Sequence, residues 1–328
     1  MSGLRYRAPS VKNSRVVFYS AAALVVVATL VFTLRNLSQV TAQLNELGRG
    51  QLLLLTPALL IMATSVVGLG SVWGLLVVQL SPIGPKFSSL LRLFLYTWPG
   101  RYVPGTLPYH VARVLFAERI GTPRQAVGAS IAYEAILQVG TAAMVGAVGI
   151  LMSVTLAESS AGAYAQYVLL VLPLAALPLA FQRGILLPVS SYLLKAAGKE
   201  PLPADALLTN RQTATAFAWY CLIHLLNGVA FYLVVAGLGD SSVNPTLAVG
   251  AYSLAGVAGV AVPFVPGGIG VREAVLIALM SGAMPAEEAA IAAAAARALS
   301  VLADLSPLAV LSSVDFLGGA LRLSRRWV

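Results

Sequence analysis

PFVPGGIGVREA, Pro263 to Ala274, is the stretch on which the reading of this chain turns. It lies in an apolar neighbourhood, yet two prolines and three glycines interrupt any continuous helix, and an Arg-Glu pair opens the apolar run that follows. Prolines withhold backbone donors, and glycines allow turns that other residues resist. Broken backbone of this kind at membrane depth is tolerated only where it is buried in protein or lines a wet cavity. The segment therefore predicts a site rather than a simple crossing.

A second stretch resembles it. Tyr102-Val103-Pro104-Gly105 matches Phe264-Val265-Pro266-Gly267 at an offset of 162 residues. Pro123 follows Pro104 by 19 residues, and Pro285 follows Pro266 by the same 19. A short match can arise by chance, but the flanking apolar runs superpose at this offset too. We expect a repeat with halves at about 16–162 and 163–320, in which paired elements cross in opposite directions.

Composition sets the environment. Of 328 residues, 59% are hydrophobic and 10% charged, whereas soluble proteins carry about a quarter charged residues. Apolar runs of about 20 residues recur, each long enough to cross a hydrocarbon layer as a helix. They are continuous rather than alternating, which excludes a transmembrane barrel. The expected fold is an all-α polytopic membrane protein with six full spans: Val16 to Leu34, Leu52 to Val78, Gln125 to Val154, Tyr164 to Phe181, Thr213 to Leu238 and Ala286 to Ser312. Two interrupted regions, Phe87 to Ile120 and Thr246 to Ala283, read as re-entrant helical hairpins, the first opening inside and the second outside. A competing topology makes Val271 to Ala283 a short crossing, giving eight spans.

The net charge of +9 is distributed by topology rather than for nucleic acid. Only Arg35 and Arg49 fall in segments placed outside. The cations of residues 5–15, Lys86, Arg92, Arg119, Arg124, Arg183, Lys195, Lys199, Arg211 and the tail 321–328 fall inside, as the positive-inside rule requires. Both termini are expected in the cytoplasm and the chain in the cytoplasmic (inner) membrane, with residues 1–15 a basic arm ahead of a retained signal anchor. The basic stretch from Arg183 to Arg211 reads as an interfacial linker between the halves. Cationic loops attract anionic head groups by about 1 kcal/mol per residue near the surface. The single Cys221 and the distant His110 and His224 give no metal or redox motif, so no cofactor is expected.

Candidate site residues follow from what a buried head group needs. Gly267, Gly268 and Gly270 let backbone approach a ligand ahead of a helix whose amides attract anions. Arg272 adds a planar donor fork suited to phosphate, and Glu273 either holds Arg272 or complements the helix dipole. A plain tight turn with a snorkelling arginine is the bland alternative. The Gly-Lys-Ser/Thr ending of a nucleotide loop does not follow. At the first interruption Arg101, Tyr102 and His110 are the candidates, with His110 at the repeat position of Arg272; shallow placement at the interface would make Arg101 an ordinary surface cation. Arg113 and Arg119 are expected at the cytoplasmic interface. Glu134 and Gln138 share a face of one span, and Arg297 and Asp304 share a face of another. Glu134 and Arg297 occupy nearly equivalent repeat positions and are expected to face each other, as a structural pair or as part of a head-group site. His224 and Asn227 share a face and read as helix-joining polar groups.

PGGIGVREAVLIAL, the upstream GRYVPG of Gly100 to Gly105 and the span bearing Tyr133-Glu134 resemble the lysylphosphatidylglycerol synthase transmembrane region, also called the flippase-like domain family. The likeness covers about residues 15–320. It implies translocation or binding of an anionic phospholipid or polyprenyl-linked head group, or a scaffold for a lipid-modifying or glycosyltransferase partner. No soluble synthase domain is expected with this chain. A membrane-embedded lipid-phosphate enzyme is the remaining alternative, disfavoured because the interruptions offer only Thr106 as a nucleophile.

Overall fold

The computed structural model describes residues 49–81, 84–103, 107–158, 207–238, 243–262 and 265–324. The expected spans Val16 to Leu34 and Tyr164 to Phe181, the basic arm and most of the 183–211 linker lie outside them. Within the described residues the chain is helical and contains no strand.

Helix α1 runs Arg49–Leu80, α2 Phe87–Thr97, α3 Leu107–Ala117, α4 Arg124–Glu158, α5 Asn210–Gly237, α6 Pro245–Ala261, α7 Val271–Met280 and α8 Ala286–Ser324. Four stretches are long and apolar enough to cross a bilayer: Leu53–Leu80, Arg124–Val154, Asn210–Gly237 and Ala286–Phe316. They coincide with four of the expected spans. At about 1.5 Å per residue each exceeds a hydrocarbon core of about 30 Å. Their outer faces stay apolar, with Leu60, Trp219, Leu302 and Val310 exposed, as expected of helices whose solvent is lipid. Helix α8 continues to Ser324, beyond the expected end at Ser312.

Local sequence sets the helix ends. Thr209 and Gln212 close the start of α5 reciprocally, Gln212 N–H donating to Thr209 Oγ1 and Thr209 N–H to Gln212 Oε1. Asn244 caps α6 by accepting from Thr246 N–H at 2.9 Å, ahead of Pro245. A valine precedes a proline at both interruptions, after the Trp98–Tyr102 turn in the first and at the end of α6 in the second. Val103 is extended (φ −83°, ψ 137°) before Pro104, and Val262 leaves the helical region (φ −111°, ψ 82°) before Pro263. The proline ring clashes with a helical conformation at the preceding residue, so the helix stops there.

The order helix, helix, break, helix, helix occurs twice. Helices α4 and α8 start at Arg124 and Ala286, which differ by 162, the offset of the sequence match. Packing is reciprocal as well: α1 lies against α8 and α5 against α4, while α1 and α5 meet each other. Helices α4 and α6 approach most closely through glycine. A Cβ on Gly250 would fall 2.5 Å from Ile150 N, so only a bare Cα fits there. One apolar core joins Met62, Phe231, Ala251, Leu276 and Ala292; another gathers Trp73, Leu90, Phe94 and Trp98 behind the first break.

Candidate functional site

The two breaks touch each other, and one face of α8 holds both. After Thr97 the chain forms a tight turn, Trp98–Tyr102, in which Pro99 lacks the donor that an α-helix needs. From this turn Trp98 Nε1 donates to Asp304 at 2.9 Å, the Tyr102 hydroxyl donates to the other Asp304 oxygen, and Arg101 Nη1 lies 3.5 Å from that oxygen. The Arg101 guanidinium also rests on the Trp98 ring, 4.3 Å from its centroid. Arg101 thus has a carboxylate partner.

Seven residues earlier on α8, Arg297 serves the second break. Its Nη1 donates to the Gly267 carbonyl at 3.1 Å, and its Nε lies 3.7 Å from Glu273 Oε1. Its guanidinium also stands 5.6 Å from the centre of the Tyr102 ring, so Arg297 sits where the breaks meet. Gly267 and Gly268 both have positive φ, 55° and 67°, and a Cβ on Gly268 would come within 2.6 Å of Gly259 Cα. That approach seats the second break against α6. Gly270 N–H donates to Glu273 Oε2 at 2.6 Å, so Glu273 caps α7 and pairs with Arg297. Glu273 was expected to hold Arg272 or to complement the helix dipole; it lies in the first turn of α7, and its cationic partner is Arg297, not Arg272.

Arg272 stacks on Tyr252, 4.3 Å from the ring centroid, and Tyr252 in turn stacks on Phe231. Arg272 and Tyr252, together with Glu273, Leu276 and Arg297, line a small hollow between α6, α7 and α8. Among the described residues Arg272 has no carboxylate within ion-pair distance, and Arg297 Nη2 is buried without a hydrogen-bond partner.

Glu134 lies elsewhere. It was expected to face Arg297, but its partner is Arg113 at 2.6 Å, with side-chain exposures of 2% and 0%. Gln138 Nε2 donates to the other Glu134 oxygen at 3.2 Å. Arg113 is therefore not at an interface: Phe94, Trp73 and Tyr109 surround its guanidinium at 4.2, 4.8 and 4.9 Å. The repeat argument failed here because each half pairs its own short helix with its own following span. The first half does so with Arg113 on α3 and Glu134 on α4, the second with Glu273 on α7 and Arg297 on α8. His110 packs against Tyr109, its ring centroid 3.8 Å away. It lies beside the Arg113 pair rather than in the hollow. Asn227 donates to Ile223 O of its own helix at 2.9 Å, so it joins no second helix through that bond.

Arg113 was expected at the interface rather than in a buried pair, and Trp98 and Tyr252 were not singled out from sequence. Arg113 carried a usable signal, as a lone cation flanked by Val111, Val114 and Leu115 in a short apolar helix. Trp98 and Tyr252 carried none, since an aromatic in a membrane helix is ordinarily packing.

Long apolar helices packed with shorter, interrupted ones around buried ion pairs define a polytopic helical membrane protein with a polar interior. Residues 19–305 match the lysylphosphatidylglycerol synthase TM region. The chain belongs to that family, and its resemblance to it, read first from PGGIGVREA, extends over most of its length. The matched region is a membrane region rather than a catalytic domain, and its family association is with membrane lipid. Comparison with curated proteins returns no match.

Proposed function

We propose that the chain binds an anionic lipid head group at the hollow beside its second helix break and carries it across the cytoplasmic membrane, leaving the acyl tails in lipid. In this reading the breaks are the tips of re-entrant hairpins entering from opposite faces, among six spans with both termini in the cytoplasm. The observation that supports it best is Arg272, a guanidinium at a hollow in a membrane bundle with no carboxylate partner among the described residues. A cation so placed is costly unless something neutralises it. An anionic head group entering from the bilayer would do so, and the adjacent unbonded Arg297 Nη2 supplies a second donor. Arg101, Tyr102 and Asp304 then act by fixing the first break against α8, and Glu134, braced by Gln138, by holding α3 to α4 through Arg113.

Reconstitution tests the proposal. Proteoliposomes containing fluorescent phospholipids or polyprenyl-linked sugars should equilibrate label between leaflets faster than empty liposomes, and Arg272→Ala should remove most of the difference. Equal rates for protein-containing and empty liposomes would exclude translocation.

A further inference from the structure

We infer that the hollow selects a head group carrying one negative charge, a phosphodiester, over phosphomonoesters and diphosphates, and that Glu273 is the residue that sets this limit. The inference rests on the lipid-binding reading above and concerns which anion the site accepts.

The argument is a charge balance. Around the two breaks, among the described residues and with the histidines neutral, the guanidinium groups of Arg101, Arg113 and Arg297 each face a carboxylate: Asp304, Glu134 and Glu273 respectively. Arg272 is left over, with only the Tyr252 ring beneath it. Locally the hollow is lined by Arg272, Arg297 and Glu273, again one positive charge in excess. A phosphodiester neutralises that excess. A second negative charge would face the Glu273 carboxylate, which is 5% exposed and cannot be screened by water.

Glu273 is also fixed in place. One oxygen accepts from Gly270 N–H at 2.6 Å, and the other lies 3.7 Å from Arg297 Nε. With both oxygens engaged, it has little capacity to take an ammonium from a zwitterionic head group. Arg297 keeps Nη2 unbonded, with the residue 7% exposed, so this donor is buried at the hollow and satisfied by nothing among the described residues. An unsatisfied buried donor beside an unpaired cation is the arrangement that an incoming phosphate oxygen completes.

Glu273→Gln separates charge from structure, because glutamine still accepts the Gly270 N–H bond as glutamate does in a capping box. Wild type and E273Q in neutral-lipid nanodiscs are titrated with phosphatidylglycerol, phosphatidic acid and a polyprenyl diphosphate, and separately with soluble glycerophosphate and inorganic phosphate, reading dissociation constants. Wild type is expected to prefer the diester. E273Q is expected to shift the ratio toward the multiply charged lipids by about tenfold or more, the scale of one unit charge at a few ångströms in a partly buried site. Glu273→Ala controls for loss of the cap, and thermal unfolding confirms that E273Q remains folded. An unchanged ratio in folded E273Q, or a wild-type preference for diphosphate, overturns the inference. Binding of soluble phosphates as tight as that of lipids supports the charge rule but takes the ligand out of the bilayer, which sinks the translocation reading instead. Charge-selective lipid binding without leaflet exchange keeps this inference and removes transport alone.

Discussion

Arg113 and Glu134 offer the sharpest test of how the bundle interior is held. Their ion pair is 2.6 Å long, and the two side chains are 0% and 2% exposed. Replacing either member alone leaves an uncompensated charge among Trp73, Phe94 and Tyr109, with a cost of about 3–5 kcal/mol in buried settings. Membrane reference states soften such values because partly unfolded helices find other partners, so the lower end, about 3 kcal/mol, is expected for Arg113→Met or Glu134→Leu. The double replacement removes both charges and keeps the volume. Methionine sulfur still packs against the aromatic rings, but Gln138 loses its acceptor, at about 1 kcal/mol. The double variant should therefore be more stable than either single one by about 2 kcal/mol. Equilibrium unfolding in mixed detergent micelles measures all four corners of the cycle. Additive costs, or single variants within about 1 kcal/mol of wild type, would refute a closely coupled buried pair. Leaflet exchange by the folded double variant then tells a structural pair from a participating one, since a purely structural pair leaves the rate intact.

Asp304 accepts from Trp98, Tyr102 and Arg101 at once, so Asp304→Ala should destabilise by about 3 kcal/mol through two orphaned donors and a partly exposed cation. Asp304→Asn, which keeps an acceptor for Trp98, should cost about half as much; thermal unfolding in detergent reads both, and equal losses would show that the hydrogen bonds contribute little. Accessibility tests the opposed hairpins: in a Cys221→Ser background, a membrane-impermeant thiol reagent should label Val103→Cys from the cytoplasmic side and Ile269→Cys from outside. Labelling of Ile269→Cys from the cytoplasm alone would favour the eight-span arrangement.

Much of the helical frame was legible in the sequence because lipid imposes a simple rule. Uninterrupted apolar runs must be helices, and α1, α4, α5 and α8 follow from length and composition alone. The breaks were legible too, because Val103-Pro104 and Val262-Pro263 forbid helix locally, whatever packs around them. Pairing was not legible. Glu134 and Arg297 look like natural partners at equivalent repeat positions, yet each bonds within its own half. Contact between halves depends on how the helices cross, and helical spacing does not encode that. Arg113 shows the same limit from the other side: three aromatic rings from three helices make its burial tolerable, and no local pattern announces their convergence. The face shared by Arg297 and Asp304 was readable from their seven-residue spacing, but their partners in the breaks were not.

The repeat holds in backbone and fails in charge, and in the proposed reading this failure assigns the anion to the second half. Each half ties its short helix to its following span by an ion pair, but the signs are exchanged: cation on α3 and carboxylate on α4, then carboxylate on α7 and cation on α8. The breaks differ in the same sense. The first presents side-chain donors to Asp304, and the second presents the Gly267 carbonyl to Arg297. At the offset of 162, His110 in the first half stands where Arg272 stands in the second. His110 packs on Tyr109 beside a compensated pair, while Arg272 stacks on Tyr252 and lines the hollow without a carboxylate partner. A strictly symmetric protein would place the same excess charge in both halves and offer two equivalent anion sites. Beside the breaks, among the described residues, the guanidinium without a carboxylate lies in the second half alone, so in the proposed reading a single anion would satisfy it. The face of α8 that anchors both breaks also carries Arg297 Nη2, the buried donor that the proposed anion would complete.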